Sequence, residues 1–247
     1  MHLTVLGCYG PYPPAGGACS GYLLQEQGYN LLIDCGNGVL SRLQEYLDFV
    51  ELNAVMLSHL HPDHYSDILI MRYGLAIARN NGRRSEPLKV YAPPEPENDF
   101  ERLFYKDHYS VEPIGPGQNF RLGPFNIQTD SVLHAIPGVA IKVESATGIL
   151  VYSGDTEYYS GLEDFASGAD FFLCEANYLD QDIKNSLPNH LSASQAARVA
   201  ARAEVKRLLL THQHPERDRE ITRTEAKKYY PDVELATERK SYIIAQQ

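Results

Sequence analysis

In the stretch "VMLSHLHPDHYSD" (residues 55–67), His59, His61, Asp63 and His64 place four candidate metal ligands within six residues, directly after an apolar run. An extended backbone turns residues two apart to one side, so the His59 and His61 imidazoles share a face. Pro62 then ends the extension, and Asp63 and His64 approach the same region from another direction. Neutral imidazole and carboxylate are donors that zinc, manganese and iron accept. Three more strand-like runs stop on a candidate ligand: "SVLH" at His134, "ILVYSGD" at Asp155 and "RLLLTH" at His212. Buried strands seldom end in ionisable groups unless those groups converge on a site. The four strand ends supply seven donors, enough for two divalent cations. Three histidines would serve one cation, an aspartate and two histidines the other, and one carboxylate would bridge. A water shared by two cations roughly 3.5–4 Å apart has its pKa lowered toward about 7, which supplies a hydroxide nucleophile at neutral pH.

The elements that must position these residues alternate. Strands are expected near 2–8, 20–26 and 29–34, then a helix through "VLSRLQEYL", the buried strand "AVMLS" and a helix from about Ser66 to Arg79. A strand "LKVYA" precedes the Pro-rich "PPEPEN", which reads as the entry to a helix through "DFERLFYKDHY". Alternating runs follow in "FNIQTDSVLH", "VAIKVES" and "ILVYSGD", then the strand "DFFLCEA" and a loop over 177–190. Ser192 is placed as N-cap of "SASQAARVAARA". After it come the strand "VKRLLLTH", a helix "REITRTEAKKYY" and two closing strands. No repeat or linker interrupts the pattern, so residues 1–247 are expected to form one α/β domain, sheets inside and helices outside.

Composition narrows the function. No apolar run reaches the roughly 18 residues a membrane helix needs, and "LTVLGCYG" lacks the layout of a signal peptide, so a cytoplasmic location is expected. Cys8, Cys19, Cys35 and Cys174 are too widely spaced for a zinc ribbon and read as free thiols. A net charge of −10 disfavours long nucleic acids as partners, since those are bound mainly through neutralised phosphates. The short basic runs "RNNGRR" and "RDREITR" read as solvated faces. Homodimerisation is left open.

"SHLHPDH", followed in order by His134, Asp155 and His212, resembles the metallo-β-lactamase superfamily in its dinuclear hydrolase branch, over almost the whole chain. The resemblance implies an αββα sandwich of two mixed β-sheets flanked by helices, with the site at one sheet edge. It implies one metal on His59, His61 and His134, a second on Asp63, His64 and His212, and Asp155 between them. Zinc is the first expectation, with manganese or iron as alternatives.

Two further segments, "LPNHLSASQAA" with His190 and "FFLCEANY" with Glu175, are similar to short motifs of ribonuclease Z-like phosphodiesterases. A histidine there could bind a non-bridging oxygen or protonate the leaving alkoxide, with the carboxylate orienting it. His190, Glu175 and Asp63 are therefore counted as catalytic candidates. Cys174 departs from the His that the motif often carries before Glu175. The Gly- and Pro-rich "LGCYGPYPPAGGACSGYLL" also resembles that branch, and its glycines would permit a tight loop beside the site. Ribonuclease Z itself has a long tRNA-gripping arm between the positions of His134 and Asp155, whereas "AIPGVAIKVESATGILVYSG" is used up by two strands and a turn. The expected substrate is a small phosphodiester, such as a cyclic nucleotide or short oligonucleotide, not pre-tRNA. Thioester or lactone hydrolysis is the alternative. The glyoxalase II-like branch would need a C-terminal helical domain that about 35 residues after His212 cannot supply. A non-enzymatic binder and a di-iron oxidoreductase rank lower.

Asp67 is expected to cap the helix after the cluster, His214 to lie in an exposed loop, and His2 and His108 to be on the surface. Tyr65, Tyr158 and Tyr178 are candidates to line a pocket.

Overall fold

The period-two patterning of the strands divides their side chains between two environments. The computed structural model describes residues 1–183 and 189–245. In its first half, β1 (His2–Gly7), β2 (Gly21–Glu26) and β3 (Tyr29–Ile33) form an antiparallel meander. After α1 (Val39–Leu43) come β4 (Ala54–Met56), α2 (Pro62–Tyr65), α3 (Ile68–Asn80), β5 (Leu88–Ala92), α4 (Glu97–Glu101) and β6 (Tyr109–Pro113). The neighbours β3, β4, β5 and β6 pair in parallel.

The second half opens with β7 (Asn119–Leu122), β8 (Phe125–Ser131), β9 (Val139–Ser145) and β10 (Gly148–Tyr152), all antiparallel. It continues through α5 (Gly161–Ala166), β11 (Phe171–Glu175), α6 (Asp180–Ile183), α7 (Ala193–Arg202), β12 (Leu208–Thr211), α8 (Arg219–Ala226) and β13 (Glu234–Leu235). Here β10, β11, β12 and β13 run parallel. The last strand, β14 (Ser241–Ile243), returns to pair with β1. The result is two seven-stranded sheets, ordered β14-β1-β2-β3-β4-β5-β6 and β13-β12-β11-β10-β9-β8-β7.

Leu31 and Ile33 of β3 meet Leu150, Tyr152, Phe171 and Leu173 of the other sheet in the central core. The alternate residues Leu32 and Val55 face Met71 and Leu75 of α3, while Phe172 and Leu210 face Leu162 of α5 and Val199 of α7. Two outer helical layers thus cover the sheets, giving the αββα sandwich. Strands buried on both faces are apolar at nearly every position, as parallel central strands require.

The expected helix through residues 99–109 stops at Glu101. Tyr109 and the residues after it instead extend along β5, where ladder hydrogen bonds and the packing of a buried Tyr109 outweigh the local helical pattern. His108 is buried rather than on the surface. The basic runs are tied down as well as solvated: Arg84 donates to the carbonyls of Val50 and Leu52, and Arg217 pairs with Asp182.

Helix α7 has the capping box expected at Ser192, whose hydroxyl accepts from Gln195 N while the Gln195 side chain accepts from Ser192 N. Ser192→Ala should lower stability by about 1 kcal/mol, read as a lower urea midpoint with an unchanged slope.

Candidate metal centre

The parallel strands of both sheets deliver their C-terminal ends to one edge of the sandwich. Asp34 follows β3, Ser58 and His59 follow β4, Asp155 follows β10, Glu175 closes β11 and His212 follows β12. Beyond β4 the backbone stays extended to His61 and turns helical at Pro62, so α2 presents Asp63 and His64 from below. The turn sketched from Pro62 in the sequence is this one-turn helix.

The seven donors fall into two groups. His59 Nε2 and His134 Nε2 lie 3.1 and 3.0 Å from His61 Nδ1. In the second group, His212 Nε2 is 3.1 Å from Asp63 Oδ2 and 3.3 Å from Asp155 Oδ2, and His64 Nε2 is 3.3 Å from the same Asp155 oxygen. Asp155 Oδ2 also stands 3.8 Å from His59 Nε2 and 4.0 Å from His134 Nε2, between the two groups. A tetrahedral cation about 2.0–2.1 Å from each donor sets those donors roughly 3.3 Å apart. These contacts are near that spacing, with His64 Nε2 somewhat farther, 3.6 Å, from Asp63 Oδ2.

The chemistry of the donors fits cations as well. His64 Nε2 and Asp155 Oδ1 are buried with no hydrogen-bond partner among the described residues. Burial, followed by the nearby His64, holds the His59 imidazole well below its ordinary pKa, which keeps it a neutral donor. At His64 burial acts in the same sense, but Asp155, Asp63 and Asp34 overcome it and raise the group well above its usual value. A pocket that draws positive charge onto a buried imidazole is one that divalent cations would satisfy.

The far nitrogens of three histidines are fixed by acceptors. His59 Nδ1 is 3.1 Å from Ser58 Oγ, His134 Nδ1 is 2.9 Å from the Asn189 carbonyl, and His64 Nδ1 is 2.7 Å from Asp34 Oδ2. Each contact puts the proton on the outer nitrogen and leaves a lone pair facing inward. Asp34 is the hub of this layer, since its fully buried carboxylate also accepts from Ser58 N, Ser58 Oγ and Tyr152 OH. Sequence reasoning missed Asp34, although "LLIDCG" carries the same signal as the other strand ends: an apolar run stopping on an acid.

His190 and Glu175 meet beside both groups. His190 Nδ1 is 2.9 Å from Glu175 Oε1, which also accepts from Thr156 N. The His190 ring stacks on His212 at 5.2 Å and 23°, and reaches 5.2 Å from His134. Burial works against a charged His190, but Glu175 and then Asp155 outweigh it, and the imidazole is pushed up to about 9. Leu187 and Pro188 of "LPNH" lie outside the described residues.

Other expectations sort differently. Asp67 makes no cap bond to its own helix; its Oδ2 accepts from Leu40 N and so serves α1. Tyr178 packs edge-on against His190, whereas Tyr65 is buried on Asp99 and Tyr158 bonds Glu163. His214 accepts from Glu216 N in its own loop. The N-terminal loop does lie against the site, because a Cβ on Gly10 would come 1.9 Å from His212 Nε2. Gly10→Ala should therefore displace His212 and lower the metal bound per chain, which metal analysis of the purified variant would register.

Fold and donor cradle together define a hydrolase of the metal-dependent class. A model of the "Beta-lactamase superfamily domain" matches residues 29–213. The chain is 36% identical to "Probable metallo-hydrolase YhfI" of Bacillus subtilis over 213 residues, 86% of each chain. The crystal structure of that metallo-beta-lactamase fold protein superposes with a TM-score of 0.93 over 98% of both chains at 32% identity. A ribonuclease Z of Haloferax volcanii is 25% identical over 86% of this chain and 84% of its own. The chain belongs to the β-lactamase superfamily, with ribonuclease Z among its relatives.

Proposed function

We propose that this hydrolase is a dinuclear phosphodiesterase acting on a small phosphodiester, a cyclic nucleotide or a short oligonucleotide. The observation that carries the reading is His190, held by Glu175 within reach of both donor groups. His59, His61 and His134 would hold one cation, Asp63, His64 and His212 the other, and Asp155 would be shared. When bound, such a pair supplies Lewis acidity and acidifies water at neutral pH, with zinc the first candidate and manganese or iron the alternatives.

The protein groups do the rest. Glu175 fixes the His190 ring through Nδ1, and a protonated His190 then serves as donor toward a phosphoryl or leaving-group oxygen. A hydrogen bond from a cationic imidazole is about twice as strong as a neutral one, and it strengthens as charge develops on that oxygen. Asp34, Ser58 and Asn189 hold the donor rings in register, so little reorganisation is needed when the substrate reacts.

The turn between β9 and β10 is only Ala146–Thr147, leaving no arm between His134 and Asp155. With the acidic net charge, this favours a substrate held by the cleft itself over a folded RNA. Among the described residues no helix is long and apolar enough to cross a membrane. The testing experiment screens metal-loaded protein on cyclic nucleotides, short oligonucleotides, aryl phosphodiesters, thioesters, lactones and pre-tRNA. Phosphodiester turnover with no pre-tRNA cleavage at physiological salt is expected. Turnover confined to thioesters or lactones overturns the reading, and efficient pre-tRNA processing overturns its substrate size.

A further inference from the structure

The loops that follow β5, β6 and β8 line an open-sided cavity of about 340 Å³ at the same end of the sandwich as the donor cradle. Its walls are the rings of Pro93, Pro94, Pro116 and Pro137, with Ile114 and Val132. Among the described residues one charged side chain, Glu95, borders it, and no cationic one does. The cavity neighbours the site through its wall residues. Gly138, on its wall, bridges to His59, and Val139 N donates to Ser58 O at 2.9 Å.

Resting on the phosphodiesterase reading, we propose that this cavity holds a neutral aromatic ring on the ester arm that stays with the phosphorus. The size suits a ligand group, since small-molecule sites run from about 300 Å³ upward and are mostly apolar. Pyrrolidine rings offer compact, C–H-covered faces that pack against the face of an aromatic ring. A phosphate finds no cation there, and Glu95 repels a second negative charge, so the phosphodiester itself belongs at the cradle.

The sheet order sets which arm enters. β5 and β6 lie on one side of β4, and β9 and β8 on the corresponding side of β10. His190 comes from the loop after β11, on the other side of β10. The leaving group departs toward His190, and the retained arm points to the proline-walled cavity.

Two esters with a common leaving group test this. Bis(p-nitrophenyl) phosphate and methyl p-nitrophenyl phosphate each consume one water, break one P–O(aryl) bond and release one p-nitrophenolate. They differ only in the retained arm, aryl or methyl. The bis-aryl ester should show a KM lower by about tenfold or more, as a well-filled apolar pocket provides. Gly115 lines the cavity, and a Cβ there meets nothing within 4 Å, so Gly115→Leu should narrow the space with no clash at the new Cβ. In that variant the KM advantage should vanish, while kcat/KM for the methyl ester stays within about twofold. Equal KM values in the unaltered protein overturn the inference whatever the variant does, as does an advantage that survives Gly115→Leu. If neither ester is cleaved by metal-loaded protein, the phosphodiesterase reading falls, and this inference falls with it.

Discussion

Asp155→Asn should leave a folded protein that binds metal poorly and has lost more activity than the roughly 10–100-fold seen when an outer-layer partner is removed. The carboxylate is fully enclosed, and one of its oxygens faces both donor groups: 3.3 Å from His64 and from His212, 3.8 Å from His59. Asparagine keeps the volume but offers a neutral oxygen, or an N–H₂ that points hydrogens at imidazole lone pairs. Burial alone would raise the Asp155 pKa, yet His212, His64 and His59 hold it well below the ordinary carboxylate range, so the charge is present where it is needed. A cation that binds only the folded state stabilises it by RT ln(1 + [L]/Kd), about 2.7 kcal/mol at a hundredfold excess over Kd. Adding a chelator should therefore lower the melting temperature of the unaltered protein clearly and that of Asp155→Asn hardly at all. An equal drop in both would show that Asp155 does not hold metal.

The candidate donors stand out in the sequence because their signal is local and chemical. Four strand-like runs stop on His or Asp, and buried runs seldom end on ionisable groups unless those groups converge. Asp34 obeys the same rule but was passed over, because a lone acid after "LLI" announces no cluster; only the other sheet's Tyr152 and the nearby Ser58 and His64 reveal its role. The α/β class was legible in the alternation of strand-like and helical runs, whereas the αββα sandwich was implied only by the superfamily resemblance, because pattern alone does not choose a topology. The stretch after α4 was not legible. "DFERLFYKDHY" has helical periodicity, but β5 needs a parallel neighbour, and that demand comes from the sheet. The role of Asp67 was hidden in the same way: capping motifs name a donor on the same helix, and its partner Leu40 lies 27 positions away. The pairing of His190 with Glu175 spans only 15 positions but crosses from a loop to a strand end.

His190→Ala should reduce turnover of a dialkyl phosphodiester by about 10²-fold or more while changing turnover of a p-nitrophenyl ester much less. An alkoxide leaving group needs a proton as the P–O bond breaks, and p-nitrophenolate departs as a stable anion without one. The two roles open to this imidazole separate on that contrast. If His190 only binds a non-bridging oxygen, both substrates should suffer alike, because that oxygen is common to them. Glu175→Gln tests the support beneath it. Glutamine can still accept from Thr156 N, as Glu175 Oε1 does at 2.8 Å, but it no longer offers a carboxylate to His190 Nδ1. The expected result is a smaller loss, in kcat more than KM, with the same dependence on leaving group as His190→Ala. A Glu175→Gln enzyme that instead loses both substrates equally, together with bound metal, would assign Glu175 to holding the cradle rather than to aiming the acid.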